Sequence, residues 1–246
     1  MLGSRRRRRR YGTISTDRLQ KGPFVGTKKI IDGITTIVFD LDGTLLDTSS
    51  DIQAAVNFVR EHYALPPLSK DEVMRYVGLG VEHLMEHTVS AGASVPLDEA
   101  RRLVVDRYSR HLLDNTRPYD GIEDLLKSLY NRYYLAVATN KPTELAVRSI
   151  DGVGFGKYFQ VVVGPEDVGA GKPAPDMLYY IASKADASPR EVLLVGDSPV
   201  DIKTARNFGC YIAAVAWGFS DKKDLKGASP DLILKSPLKL LDHLGK

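Results

Sequence analysis

Two aspartates separated by a single residue, Asp40 and Asp42, close an apolar run in Val38-Phe39-Asp40-Leu41-Asp42-Gly43-Thr44-Leu45-Leu46-Asp47. Residues i and i+2 of a strand point to one face, so if strand geometry continued through Asp42 the two carboxylates would stand side by side. Like charges that close need a shared proton or a cation. Magnesium supplies such a cation, because it takes one or two carboxylates and completes its shell with waters and phosphate oxygens. Taken alone, Asp-Gly-Thr is also an ordinary strand-ending turn.

Three more segments carry polar groups of the same kind. Thr139-Asn140-Lys141-Pro142 offers a hydroxyl and an ammonium, although Thr-Asn before Pro is equally a helix cap. Lys172 lies in Gly171-Lys172-Pro173-Ala174-Pro175-Asp176, where a loop lysine by itself would simply be solvated. Val195-Gly196-Asp197-Ser198-Pro199-Val200-Asp201 holds two acids. Ser198 as cap, Pro199 first and Asp201 third start a helix that needs no metal, which accounts for Asp201 but not for Asp197.

These residues need a frame, and the hydrophobic pattern supplies one. Short apolar runs at Ile37–Leu41, Leu135–Thr139, Val161–Gly164, Val192–Gly196, Ile212–Ala216 and Leu232–Leu234 read as strands. Helix-period segments at Gly121–Arg132, Pro142–Ile150, Pro175–Lys184, Pro199–Phe208 and Pro237–Leu244 alternate with them, and Ser188-Pro189-Arg190-Glu191 has the order of a helix start. The alternation predicts an α/β fold, a Rossmann-like doubly wound parallel sheet, in which ligands bind at the carboxyl ends of the strands. All four polar segments fall there. The pattern breaks once, over residues 48–116, which read as helices only: Asp47 or Thr48 caps one, Ser69-Lys70-Asp71-Glu72 forms a capping box, and two more follow Gly80 and Pro96. A small helical cap domain is thus expected after the first strand, with 31–47 and 117–246 forming the core.

With four segments in this order, the chain resembles the haloacid dehalogenase-like phosphohydrolases over about residues 34 to 244. The resemblance implies that Asp40 is a nucleophile forming an aspartyl-phosphate and that Asp42 protonates the leaving oxygen, then activates water. It implies that Thr139 and a neighbouring amide hold the phosphoryl group and that Lys172 offsets its charge. Mg2+ would be held by Asp40, Asp197 and the backbone carbonyl of Asp42, with Asp201 steadying the metal's waters or Lys172. Dehalogenating members lack the second acid, so Asp42 argues for phosphate. Asn140, Lys141 and the glycines of Val77-Gly78-Leu79-Gly80-Val81 are the expected substrate contacts; Gly78 and Gly80 could present amides to a small anion, or form a plain helix–helix turn. Together with Ala216-Trp217-Gly218-Phe219 these features look most like the phosphoglycolate phosphatase branch. Pyrophosphatases, sugar-phosphate phosphatases and phosphate-retaining sugar mutases share nearly all of them.

Other signals point elsewhere. His83-Leu84-Met85-Glu86-His87 has the spacing of an inverted zinc-peptidase motif, with both histidines on one helix face, but it falls in the insert and reads as a surface pair. Gly169-Ala170-Gly171-Lys172 lacks the Ser/Thr and the glycine spacing of a phosphate-binding loop. The single cysteine, Cys210, excludes an internal disulfide and fits a reducing compartment, so a cytoplasmic protein is expected; the resemblance implies a small phosphorylated metabolite as partner, and a monomer or homodimer is expected. No segment approaches the ~20 apolar residues of a membrane span.

Charge is divided unevenly. Residues 1–30 hold ten Lys/Arg and one acid, whereas the remainder has 30 acids against 24 bases. The block Arg5 to Arg10 repels itself and has no apolar partner, so the arm is expected to be disordered. It reads as a tolerated extension, as an organelle-targeting segment, or as a weak, salt-sensitive contact for nucleic acid or another acidic surface.

Overall fold

The computed structural model describes residues 30–90 and 95–245; the arginine-rich arm lies outside the described residues. In chain order the elements are β1 (Thr36–Phe39), β2 (Leu46–Asp47), α1 (Ser49–His62), α2 (Lys70–Met74), α3 (Val81–Met85), α4 (Leu97–Arg110), β3 (Arg117–Pro118), α5 (Ile122–Leu129), β4 (Tyr134–Ala138), α6 (Thr143–Gly152), β5 (Val161–Val163), α7 (Pro165–Val168), α8 (Asp176–Ala185), β6 (Val192–Gly196), α9 (Pro199–Phe208), β7 (Tyr211–Val215), α10 (Lys222–Gly227) and β8 (Leu232–Leu234). Six strands form one parallel sheet in the order β5-β4-β1-β6-β7-β8. The order reverses around β1, which opens a crevice between the carboxyl ends of β1, β4 and β6.

Alternation along the strands explains why both faces are covered. Ile37, Phe39, Leu135, Val137, Leu193 and Val195 point to the face packed by α5 and α6. Val38, Ala136, Ala138, Leu194, Ile212 and Ala214 point to the face packed by α8 and α9. A third buried cluster, including Ile52, Val56, Val59, Val73, Met85, Val104 and Tyr108, sits among α1 to α4. The cap therefore has its own core. No helix among the described residues is long and apolar enough to cross a membrane.

The start signal at Ser188 encloses little helix: Ser188 and Glu191 form a reciprocal capping box around the 3-10 turn Pro189–Glu191 alone. The next residues, Val192-Leu193-Leu194-Val195, form the expected strand, β6, between β1 and β7. Likewise Pro237–Asp242 forms 3-10 turns rather than an α-helix.

The cap leaves and rejoins the core through the paired strands β2 and β3. Asp51, in the first turn of α1, spans this junction: its carboxylate accepts from the amides and side chains of Asn115 and Thr116 at 2.8–3.0 Å. Burial opposes the charge, but those four donors outweigh it and hold the carboxyl below its ordinary value. Asp51→Ala should cost about 2–4 kcal/mol at pH 7, read as a lower denaturation midpoint with unchanged slope. The depressed value means this stability is present above the unfolded carboxyl's value of about 3.9 and lost as pH falls through the folded value. The gap between variant and wild type should accordingly close in acid.

Candidate active site

Asp40 is the first residue past β1. Its amide still donates to the Val195 carbonyl at 2.8 Å, after which the chain leaves the sheet. The Leu41 carbonyl then takes the amides of Thr44, Leu45 and Leu46 at 3.0–3.2 Å, with Gly43 turning the chain at φ +82°. Strand geometry therefore ends at Phe39 rather than running through Asp42, although both aspartates line one chamber. The Asp42 Oδ1 receives the Lys141 ammonium at 2.8 Å.

The other strand ends converge on Asp40. Thr139 follows β4, and its amide donates to Val163 at 3.1 Å. Asp197 follows β6, and its Oδ2 accepts the Phe219 amide at 2.7 Å. Asp201, in the first turn of α9, accepts from the Ser198 hydroxyl at 2.6 Å and from the Lys172 ammonium at 2.6 Å. Helix cap and lysine anchor are thus the same carboxylate. Lys172 also reaches Asp40 at 2.7 Å, with a side chain only 2% exposed.

Asp40, Asp197 and Asp201 each offer an oxygen within 4.8 Å of the others, and all three are buried. Burial first, countered by Lys172 and reinforced by Asp201 and Asp42, pushes the Asp40 carboxyl up to about 7. Asp197 is raised well above the carboxylate range by burial, then by Asp40 and Asp201. Burial works against the Lys172 ammonium, but Asp201 and Asp40 hold its value above the ordinary one. Carboxyls strained in this way favour a cation, and an all-oxygen donor set suits a hard divalent ion.

Asn140 and Lys141 line the chamber and also tie its loops together. The Asn140 amide donates to the Gly78 carbonyl at 2.7 Å and to the Lys172 carbonyl at 2.8 Å, and its Oδ1 accepts the Lys172 amide at 2.6 Å. The side chain is a strut between the Lys172 loop and the cap. Lys141 is buried too, donating to the Tyr108 hydroxyl at 2.7 Å as well as to Asp42. Gly78 and Gly80 adopt φ +108° and +95° and line the same chamber as Asp40, Asp42, Thr139 and Lys141. Apart from Asn140 and Tyr108, the rest of that chamber is apolar, including Ile52, Val81, Leu84, Val104 and Leu145. A second cleft, lined by Lys70, Arg75, Asp42 and Asp197 among others, runs between cap and core.

Sequence reasoning missed Tyr108 and the close-packed glycines. Tyr108 shares a helix stripe with Ala100 and Val104 and reads as core; nothing in the spacing announces its hydroxyl. A Cβ on Gly218 would collide with Asp197 Cβ and the Gly43 carbonyl, and one on Gly43 with the Asp197 carboxylate. Glycine after a strand was the available signal.

Comparison with known proteins agrees with this geometry. Residues 37–215 match the family model described as haloacid dehalogenase-like hydrolase. The chain is 36% identical to the phosphoglycolate phosphatase of Chromobacterium violaceum, over 85% of this chain and 96% of that protein. It is 32% identical to the N-acetylmuramic acid 6-phosphate phosphatase of Pseudomonas aeruginosa, over 87% and 96%. Among solved structures, one described as a predicted phosphoglycolate phosphatase from Haemophilus somnus superposes with a TM-score of 0.81 at 28% identity, over 85% and 97%.

The glycine packing yields a test. Gly218→Ala should displace Asp197 and weaken divalent-ion affinity by about tenfold or more, measured by calorimetry, while far-ultraviolet circular dichroism stays native. Unchanged ion affinity would mean that Asp197 is not held by this contact.

Proposed function

Because the chain belongs to the haloacid dehalogenase-like hydrolases and is a phosphatase of phosphate monoesters, we propose that it works through an aspartyl-phosphate on Asp40, with magnesium as cofactor and phosphoglycolate as substrate. The observation that carries this reading is Asp40 itself: a buried carboxylate 2.7 Å from the Lys172 ammonium, in one cluster with Asp197 and Asp201.

Asp40 attacks phosphorus while Lys172 and the Thr139 hydroxyl offset the charge of the phosphoryl oxygens. Asp42 gives a proton to the departing oxygen, then takes one from the water that attacks the acyl phosphate and frees Asp40. Lys141, fixed by Tyr108 from the cap, holds Asp42 in place for both transfers. Asp40, Asp197 and the Asp42 carbonyl would hold magnesium, with Asp201 behind them. When bound, the ion neutralises carboxylate and phosphate charges that would otherwise repel.

The substrate assignment leans on the Chromobacterium relative, whose name is phosphoglycolate phosphatase. One observation favours a second reading. Among the described residues, Lys141 is the one cation lining the chamber and is already paired with Asp42, and the remaining walls are mostly apolar. A larger leaving group would fill that space, in line with the sugar-acid phosphate named for the Pseudomonas relative. Ranking kcat/KM over phosphoglycolate and a series of sugar and aliphatic phosphates decides between the two.

Two outcomes test the chemistry. Asp40→Asn should lower kcat by at least roughly 10³-fold and abolish covalent phosphate incorporation; retention of magnesium-dependent turnover would exclude Asp40 as nucleophile. Burial pushes the Asp40 carboxyl up to about 7 and raises Asp197 well above the carboxylate range, so a cation held by both must displace protons as pH falls. Apparent magnesium affinity should therefore rise with pH through neutrality, as followed by calorimetry, and a pH-independent affinity would contradict this ligand set.

A further inference from the structure

The helix after the Gly78–Gly80 turn carries a second group of metal-ligand side chains, unlike the carboxylates in chemistry. His83, Glu86 and His87 each offer a ligand atom, all within 4.8 Å of one another. None of the three lines the chamber or the cleft of the candidate active site. Their i, i+3, i+4 spacing puts them on one helix face. At Glu86 the α-helical turns of α3 give way to a π turn, Glu86–Ser90, a rare geometry that concentrates at functional sites.

Both rings are restrained. Nδ1 of His87 lies 2.9 Å from the His83 carbonyl, which can only accept, so Nδ1 carries the proton and Nε2 presents its lone pair. A backbone carbonyl on one imidazole nitrogen is the usual outer support of a metal-bound histidine. Tyr76 stacks on His87 with centroids 4.9 Å apart and planes at 24°, and the two imidazoles lie 4.1 Å apart.

We infer that His83, Glu86 and His87 form a cap-surface site for a borderline divalent transition ion such as zinc, distinct from the magnesium-type carboxylate cluster. Imidazole nitrogen suits zinc, copper or nickel and is a poor ligand for magnesium. Tetrahedral ligands at about 2.1 Å from zinc stand about 3.4 Å apart, so donors within 4.8 Å of one another need only small rotations of partly exposed side chains. Three protein ligands leave the fourth position to water. Occupancy would brace the turn beginning at Tyr76, whose neighbours Val77 and Gly78 line the chamber. This site stands independently of the mechanism proposed for Asp40.

The test is calorimetric titration of zinc chloride into the full-length protein with magnesium in saturating excess, so that carboxylate oxygens are occupied. One binding event is expected in the wild type. His83→Ala and His87→Ala should each weaken it by about tenfold or more, with magnesium-dependent phosphatase activity in zinc-free buffer unchanged as proof of folding. Cobalt(II) supplies a second readout: visible bands of a tetrahedral nitrogen–oxygen site in the wild type, lost in the double histidine variant. Zinc affinity equal in wild type and both histidine variants, zinc heat abolished by magnesium, or no cobalt bands in the wild type would each overturn the inference.

Discussion

The Lys172 ammonium holds this molecule's chemistry together. It lies 2.7 Å from Asp40 and 2.6 Å from Asp201, essentially out of water, and thereby allows acidic side chains to be packed at the meeting point of three strand ends. Removing one partner of such a buried pair typically costs about 3–5 kcal/mol, because the other charge is left uncompensated. One cation still falls short of three carboxyls. Burial, reinforced by the neighbouring carboxylates, raises Asp40 and Asp197, and this is the electrostatic reason that the cluster favours a divalent ion and a tightly placed lysine together.

A second lysine ties that cluster to the cap. Lys141 stands next to Thr139 and Asn140 after β4, yet its ammonium is spent on Asp42 and on the Tyr108 hydroxyl of α4. Burial, against the opposing pull of Lys141, pushes the Tyr108 hydroxyl up to about 12, so it stays protonated at neutral pH. Asn140 makes the parallel link, from the Lys172 loop to the Gly78 carbonyl. Two adjacent residues of one strand end thus grip both the catalytic loops and the cap. Displacement of the cap would break hydrogen bonds to the very residues that orient Asp42 and Lys172, which couples closure to the geometry of the reacting groups.

Steric room is the third constraint. Gly43, Gly196 and Gly218 approach Asp197 or Asp201 so closely that no Cβ fits. The backbone can then supply the Phe219 amide to Asp197 while Trp217 donates to the Thr44 carbonyl at 3.1 Å, closing the β7 loop over the Asp40 turn. Such packing is the physical meaning of glycine at these positions, since only Gly43 among them has a positive φ.

The sequence by itself determined the strands, the helical insert and the four polar segments at strand ends, because alternation, capping boxes and turn residues are local properties. It also placed Asp40, Thr139, Lys172, Asp197 and Asp201 correctly as neighbours, since a parallel sheet brings successive strand ends to one edge. What only the tertiary structure decided is where long or buried side chains point. Asp42 meets Lys141 because the chain leaves the strand at Phe39 and turns under the end of β4, and Asn140 becomes a strut because the Lys172 loop and the cap close around it. In each case the partner lies tens of residues away, and that leaves no mark in the local order of residues.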